Sequence, residues 1–295
     1  MNLVVIGIIL AFVAALFWGF GDFFIQKATR KVGSWEALFV ISIIGVIILA
    51  PFSWTNFLRL FQGSDFVGVF ILVASGVVLF MAAMLDFAGM KIGKLAIIEP
   101  LWSIEIISAS IISYVVLKEA LSPLQICLIA ALIVCFILLS IRERGSIKLR
   151  HFFIERGVMY AVLGTILMGV ADFFLGWGSR VADPITANFF IDLILVAISG
   201  SYLIFNGRFQ RLVRDFRHNP ILLIKTSVLD KIGWVAYAFA MSLAPIGIVT
   251  ALSEASIIVA VGLGLFVSNE KIQHHQKIGL VGAIVCAIVL GFFSH

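Results

Sequence analysis

Long apolar stretches separated by short polar segments run along nearly the whole chain of 295 residues. Most stretches hold about 20 residues, which is the length that an α-helix needs to cross the hydrocarbon core of a bilayer. Transmembrane β-strands would need segments of about ten residues with alternating polarity, whereas these stretches are unbroken. The pattern therefore predicts an all-α, polytopic membrane protein. The predicted spans are 3–26, 35–52, 66–90, 94–117, 123–141, 157–179, 185–206, 219–243, 246–268 and 275–293.

Composition supports this fold class and excludes a soluble domain. Hydrophobic residues make up 62% of the chain and charged residues 13%, against roughly 45–50% and about 25% in soluble domains. The three cysteines, Cys127, Cys135 and Cys286, lie in apolar stretches without metal-ligand spacing, so the sequence predicts no metal and no other cofactor. The first span is too long for a removable signal peptide.

The second half of the chain repeats the first. A shift of 150 residues places the Asp-Phe-Phe sequence of residues 22–24 on the same sequence at 172–174. A shift of 151 residues places Glu119 on Glu270. Apolar matches are common by chance in such a composition, but matched acidic residues are not. The predicted units are a first five-helix repeat, 1–145, and a second five-helix repeat, 146–295.

An odd number of spans in each repeat requires the two halves to lie inverted in the membrane. The loops after spans 1, 3, 5, 7 and 9 contain 16 of the 21 Lys and Arg residues, and the other loops contain three. Because positive loops stay in the cytoplasm, we expect these odd-numbered loops inside and both termini outside a plasma (inner) membrane. Inverted repeats are typical of alternating-access secondary transporters.

Several motifs follow the order found in one transporter group: Phe17-Trp18-Gly19 in span 1, Glu99-Pro100 at the start of span 4, and a Glu before the last span of each half. In these features the chain resembles the ten-helix EamA-type members of the drug/metabolite transporter superfamily. The resemblance implies a central cavity lined by spans 1–4 and 6–9, with spans 5 and 10 peripheral. It also implies transport of small metabolites, often export of amino acids or related compounds.

Acidic residues inside the spans are the first candidates for function, since a charge at the bilayer centre costs roughly 2.5–3.5 kcal/mol. The spans contain eight carboxyl groups but only one evident cation deep within a span, Lys231. Asp22 and Asp172 are related by the repeat, so they are predicted to couple transport to protons. The alternative is that both acids cap helix ends or reach the interface. The eight acids are Asp22, Asp86, Glu99, Glu105, Asp172, Asp192, Asp230 and Glu254.

Residues that share helix faces predict the substrate-binding site. Lys231, Trp234 and Tyr237 lie three residues apart, and could bind a carboxylate whose apolar part contacts the rings. Alternatively, Lys231 only neutralises Asp230 or Glu254.

The remaining binding candidates lie on four other spans. Glu99 and Trp102 share a face of span 4, and Glu254 is predicted to be the counterpart of Glu99 in span 9. Trp18 lies one turn before Asp22. Asp192 shares a face with Asn188, a spacing that is also typical of helix–helix contacts.

The predicted function is secondary active transport of a small polar or amphipathic metabolite, such as an amino acid or an amine, with export by proton exchange. The predicted partners are the substrate, protons and membrane lipid, with no nucleic acid, and the protein would be a monomer or a homodimer. An arginine stripe on a short helix is predicted to contact anionic lipid. It consists of Arg208, Arg211, Arg214 and Arg217.

Two other functions compete with this prediction. A lipid or lipid-precursor flippase would use the same fold with a lateral opening. An intramembrane aspartyl protease is a remote alternative, because Gly19-Phe20-Gly21-Asp22 fits a GxGD pattern and Asp172 could supply a second carboxyl group. The other motifs of that protease family are absent from the sequence, so the chain is predicted not to be an enzyme.

Overall fold

Helices make up nearly all of the computed structural model, which describes residues 2–62, 66–92, 95–140, 156–259 and 273–294. Within these ranges the chain forms eleven helices of eight or more residues and no strand. They are α1 Leu3–Val32, α2 Ser34–Gln62, α3 Phe66–Ile92, α4 Leu95–Leu117, α5 Pro123–Ser140, α6 Arg156–Val181, α7 Pro184–Phe205, α8 Phe209–His218, α9 Pro220–Leu243, α10 Ile246–Ser253 and α11 His274–Phe292.

The helices confirm the polytopic fold predicted from the sequence. Six described helices are long and apolar enough to cross a bilayer, and shorter apolar helices include Pro123–Leu139 and Ile246–Val259. The predicted end of span 2 was wrong, because α2 continues for eleven residues past Pro51. This extension is held by rings, since Phe57 packs against Phe189 and Phe190 of α7 with centroids 5.4 and 5.7 Å apart. The end of the span predicted at 246–268 lies outside the described residues.

Packing between the halves follows a two-fold pattern. The contact of α1 with α9 is matched by that of α6 with α3, and the contact of α1 with α10 is matched by that of α6 with α4. The pairs α2–α7 and α5–α11 each bring equivalent helices together. Each interface therefore recurs with the two halves exchanged, as inverted repeats require.

Two glycines extend this symmetry to single residues. A Cβ atom on Gly19 would lie 2.5 Å from Val259 Cβ and 2.9 Å from the carbonyl oxygen of Ser256. The same atom on Gly169 would lie 2.7 Å from the carbonyl oxygen of Glu105 and would also meet Ser108. Ser256 and Val259 are the positions of Glu105 and Ser108 shifted by 151 residues. The absent side chain thus lets α1 approach the short helical segment 256–259 in the same way that α6 approaches α4.

The helix ends define two opposite faces of the molecule. The terminal face contains the start of α1, the α9–α10 turn and the end of α11, and the basic face contains the end of α1 and helix α8. Hydrogen bonds close the peripheral α5–α11 pair at both faces: Gln125 Nε2 donates to the carbonyl of Phe293 at 3.2 Å, and Gln276 Nε2 donates to that of Leu139 at 2.9 Å.

Three arginines of the stripe lie on α8, the short helix that the spacing predicted, and Arg208 immediately precedes this helix. Arg208 forms an ion pair, with its Nη2 2.7 Å from Oε1 of the fully buried Glu36, and its side chain is 32% exposed. Arg211 forms a looser pair of 3.5 Å with Asp215. The structure leaves Arg214 and Arg217 exposed, so for these residues the lipid contact stays a prediction.

Candidate substrate-binding site

A cavity of about 160 Å³ lies between the two halves. Its walls come from α1–α4, α6, α7 and α9, together with Glu254 and Ser256 just after the end of α10. None of the described residues of α5, α8 or α11 lines it, which is the arrangement that the resemblance implied. On α2 the lining residues, Leu38, Ile41 and Ser42, lie within two turns of the start of the helix at Ser34. The cavity is therefore closer to the basic face than to the terminal face.

Three aromatic side chains form one wall region. Trp18 and Trp234 line the cavity, with ring centroids 5.1 Å apart in an edge-to-face arrangement. Tyr237 touches both rings, at 4.8 Å from Trp18 and 6.0 Å from Trp234, but it is fully buried and does not line the cavity. Its hydroxyl is 2.8 Å from Thr250 Oγ1. Tyr237 thus packs behind the two tryptophans, and its contact with a substrate stays a prediction.

Lys231 is paired with a carboxyl group that the sequence did not indicate as its partner. Its Nζ donates to Asp192 Oδ1 at 2.7 Å and lies 2.6 Å from Oδ2. The expectation that Lys231 neutralises Asp230 or Glu254 was therefore wrong as to the direct partner. Asp230 nevertheless lies within electrostatic range of Lys231 and also lines the cavity.

Backbone geometry holds this ion pair in place. Asn188 Nδ2 donates to the carbonyl of Pro184 at 2.9 Å and reaches the carbonyl of Trp234 at 3.4 Å, so it joins α7 to α9. On α2, a Cβ atom at Gly45 would lie 2.6 Å from Lys231 Cε and would also overlap the carboxylate of Asp192. A glycine is required here because α2 packs directly against the ion pair. Asp192 and Asn188 therefore both connect helices and line the cavity.

Four further carboxyl groups line the same cavity: Asp22, Asp86, Glu105 and Glu254. Asp86 interacts electrostatically with Asp22, and Glu105 interacts with Glu254. Asp172 adjoins this group from behind. It interacts with Glu105, and both of its oxygens are buried without a partner of good hydrogen-bond geometry among the described residues. We call these five residues the acid cluster.

Helix α10 is interrupted within the acid cluster. The helix ends at Ser253, Glu254 and Ala255 form a turn, and the chain is helical again at 256–259. Irregular backbone at membrane depth is tolerated where it lines a cavity, and discontinuous helices are typical of transporter binding sites. The symmetry at Gly19 and Gly169 also corrects one prediction. Glu254 corresponds to Ser103 by the 151-residue shift and is not the counterpart of Glu99.

Two predicted binding residues remain on α4. Trp102 lines the cavity, and its buried Nε1 has no hydrogen-bond partner among the described residues. Glu99 belongs to helix α4, but its side chain lies outside the described part of the structure.

Sequence reasoning did not select Asp86, Glu105 or Ser42 for the site. Asp86 and Glu105 were visible as intramembrane acids, but nothing in their spacing distinguished a cavity-lining position from a packed one. Ser42 lines the cavity with a buried hydroxyl that has no partner among the described residues. A lone serine in an apolar helix gives no signal in sequence, since its usual hydrogen bond to its own backbone would make it unremarkable.

Helical repeats that meet at a polar cavity with an interrupted helix define the class of protein, which is a multi-pass membrane transporter. A sequence profile of the EamA-like transporter family matches residues 5–141 and again 155–292. The chain belongs to this family, part of the drug/metabolite transporter superfamily, whose members are transporters and not enzymes.

Comparisons with individual proteins add support for the fold alone. A solved crystal structure, described only as "Crystal structure of protein", matches with a TM-score of 0.72 and 13% sequence identity. The match covers 98% of this chain and 97% of that chain. No curated protein matches the sequence.

Proposed function

We propose that this protein is a secondary active transporter that exports a small zwitterionic or cationic metabolite, such as an amino acid or an amine, in exchange for protons. One observation carries the proposal: the same cavity combines the Lys231–Asp192 pair, three cavity-lining tryptophans and four carboxyl groups of the acid cluster. Charged groups inside a membrane protein mark substrate and ion pathways, because they are too costly to retain without a role.

The chemistry of the cavity supports a zwitterionic substrate. Carboxyl groups such as Glu105 and Glu254 would attract an ammonium group, and the Lys231 side of the cavity would attract a carboxylate. The faces of Trp18 and Trp234 would cover the apolar part of the substrate and could also contact its cation.

The size of the cavity favours a metabolite over a lipid. A volume of about 160 Å³ is close to the roughly 150 Å³ cavity that holds one benzene molecule. A lipid with acyl chains needs far more room, so nothing in this site favours the flippase alternative.

Competition between a substrate carboxylate and Asp192 for Lys231 distinguishes amino acids from amines as substrates. A substrate carboxylate must share Lys231 with Asp192, whereas an amine without a carboxylate can leave the pair intact. We therefore expect Lys231→Met to abolish binding of an amino acid but not of the matching decarboxylated amine. Thermal-shift measurements can test both ligands on native protein and variant, since a ligand that binds only the folded state raises its apparent stability.

The grouping of five carboxyl residues in the acid cluster supports proton exchange. Like charges in close contact disfavour simultaneous ionisation, so a carboxyl cluster takes up and releases protons as a coupled unit. Within the acid cluster, we propose Asp22 and Asp172 as the coupling pair because the repeat relates them. Inward movement of protons down their gradient would then drive the substrate outward.

Reconstituted vesicles with an imposed pH gradient test the coupling. The native protein should accumulate the substrate identified by thermal shift, and Asp22→Asn or Asp172→Asn should reduce the gradient-driven component by about tenfold or more. Asp215→Asn, on α8 and outside the cavity, is the matched control and should transport normally. Unchanged gradient-driven transport in both acid-cluster variants would remove these acids from the coupling role.

A further inference from the structure

An ion pair on the terminal face joins the two halves at a point where neither partner touches the cavity. Arg180, at the end of α6, lies 2.5 Å through Nη1 from Oε1 of Glu119 in the α4–α5 loop. Glu119 belongs to the first half and Arg180 to the second. The pair is partly buried, with side chains 29% and 15% exposed for Arg180 and Glu119 respectively.

Both side chains also bind the turn between α9 and α10. Arg180 donates from Nε to the carbonyl of Met241 at 2.9 Å and from Nη2 to that of Ala244 at 3.0 Å. Glu119 Oε2 accepts a hydrogen bond of 2.9 Å from the backbone N–H of Ile246. The cation thus lies at the C-terminus of α9 and the anion at the N-terminus of α10, where each is favoured by the helix dipole.

The backbone before Glu119 is shaped for this contact. Lys118 has φ of 58°, in the left-handed region that favours glycine. The N–H of Glu119 then bonds back to the carbonyl of Ser113 at 3.4 Å, and the Ser113 hydroxyl bonds the Glu119 carboxylate. This closure at the end of α4 spans the seven residues from Ser113 to Glu119, and it directs the carboxylate toward α10.

The region between this ion pair and the cavity is closed. All eight residues of α10, Ile246–Ser253, are buried, and on α9 the side chains of Tyr237, Ala240 and Met241 are fully buried. Gly247 packs against Ser110 of α4 so closely that a Cβ atom would lie 3.0 Å from Ser110 Cβ. The packing of the α9–α10 turn against α4 and α6 therefore separates the cavity from the terminal face.

We propose that Glu119 and Arg180 form a latch that holds the terminal mouth shut and must open in each transport cycle. They act as positioning residues, because they control the α9–α10 turn without touching substrate. The inference rests on the proposed alternating-access function, but its test needs neither substrate nor protons, so the two can fail separately.

The labelling rate of a cysteine placed between the ion pair and the cavity measures whether the latch is open or closed. Thr250→Cys is introduced into a full-length variant in which Cys127, Cys135 and Cys286 are replaced by Ala. Labelling by a membrane-impermeant maleimide is followed in vesicles. Arg180→Gln and Glu119→Gln should each increase the labelling rate of Cys at position 250 by about tenfold, since both break the ion pair. Arg59→Gln removes an exposed arginine in the last turn of α2 and should leave the rate unchanged.

Two comparisons exclude simple unfolding as the cause of faster labelling at position 250. In Glu119→Gln the amide oxygen can still accept from the Ile246 N–H, so its labelling rate should rise less than that of a Glu119→Ala variant. A second reporter, Leu132→Cys in α5, replaces a side chain that is fully buried in the native protein and should stay unlabelled throughout. Equal labelling of position 250 in the native and latch variants would overturn the proposal, and so would labelling of both reporters together.

Discussion

Removal of one member of the buried Lys231–Asp192 pair should destabilise the protein more than removal of both. The two side chains are 6% and 3% exposed and meet at 2.6–2.7 Å. A single substitution leaves a buried charge without its counter-ion, which costs about 3–5 kcal/mol. The double variant removes both charges, and the loss should fall to about 1 kcal/mol or less.

The two single variants should also differ from each other. In Asp192→Asn, the lysine keeps Asp230 within electrostatic range, so the cost should lie near the lower end, about 3 kcal/mol. In Lys231→Met, Asp192 and Asp230 still interact electrostatically with each other but have lost their shared cation, and the loss of unfolding free energy should approach about 5 kcal/mol.

Unfolding in mixed detergent micelles, followed by circular dichroism, gives the free energy of unfolding for the native protein, the two single variants and the double variant. Arg211→Gln is the matched control, because its pair with Asp215 is 3.5 Å long with the arginine side chain 56% exposed, and such pairs are worth about 0.2–1 kcal/mol. Losses below about 1 kcal/mol in both single variants, or a double variant that loses the sum of the two, would refute the reasoning.

Three further outcomes are expected. Gly19→Ala should destabilise the protein by about 1–3 kcal/mol through overpacking. Gly21→Ala should be neutral or stabilising, because the nearest contacts of its new Cβ atom would be at 3.9 Å. Equal unfolding free energies for the two variants would contradict the close approach of α1 at Gly19. Lys118→Gly should raise the unfolding free energy by up to about 1 kcal/mol by relieving the left-handed backbone, with Lys225→Gly inside α9 as a destabilising comparison. Trp234→Ala should weaken the thermal shift given by an aromatic or aliphatic substrate. The effect should be larger than that of Trp54→Ala, which removes an exposed tryptophan outside the cavity. A smaller effect at position 234 than at position 54 would exclude Trp234 from the site.

The helical architecture could be predicted because membrane length and hydrophobicity fix it locally. The resemblance to EamA-type transporters implied which spans line the cavity. The repeat gave the pairing of the two halves, since the 151-residue shift that aligns Glu119 with Glu270 also relates the neighbours of Gly19 and Gly169. The end of α2 escaped prediction because ring contacts with α7 extend the helix past Pro51. Such contacts between distant segments have no signature in a single sequence.

The site could be predicted only in part for the same reason. Periodicity placed Lys231, Trp234 and Tyr237 near one face of a helix, but residues three positions apart diverge by about 60° around the axis. This difference separates Trp234, which lines the cavity, from Tyr237, which lies behind it. The partner of Lys231 lies 39 residues away on α7, and helix packing alone selects Asp192 over the adjacent Asp230.

Two-sided access to the cavity tests the central claim most directly. Ser42→Cys, in the same cysteine-free background, places a thiol on the cavity wall, and an impermeant maleimide is applied separately to each side of oriented vesicles. If the inverted halves expose the cavity alternately, the reagent should reach Cys at position 42 from both sides, with substrate slowing both reactions. Labelling from one side alone under every condition, with or without substrate, would contradict the account.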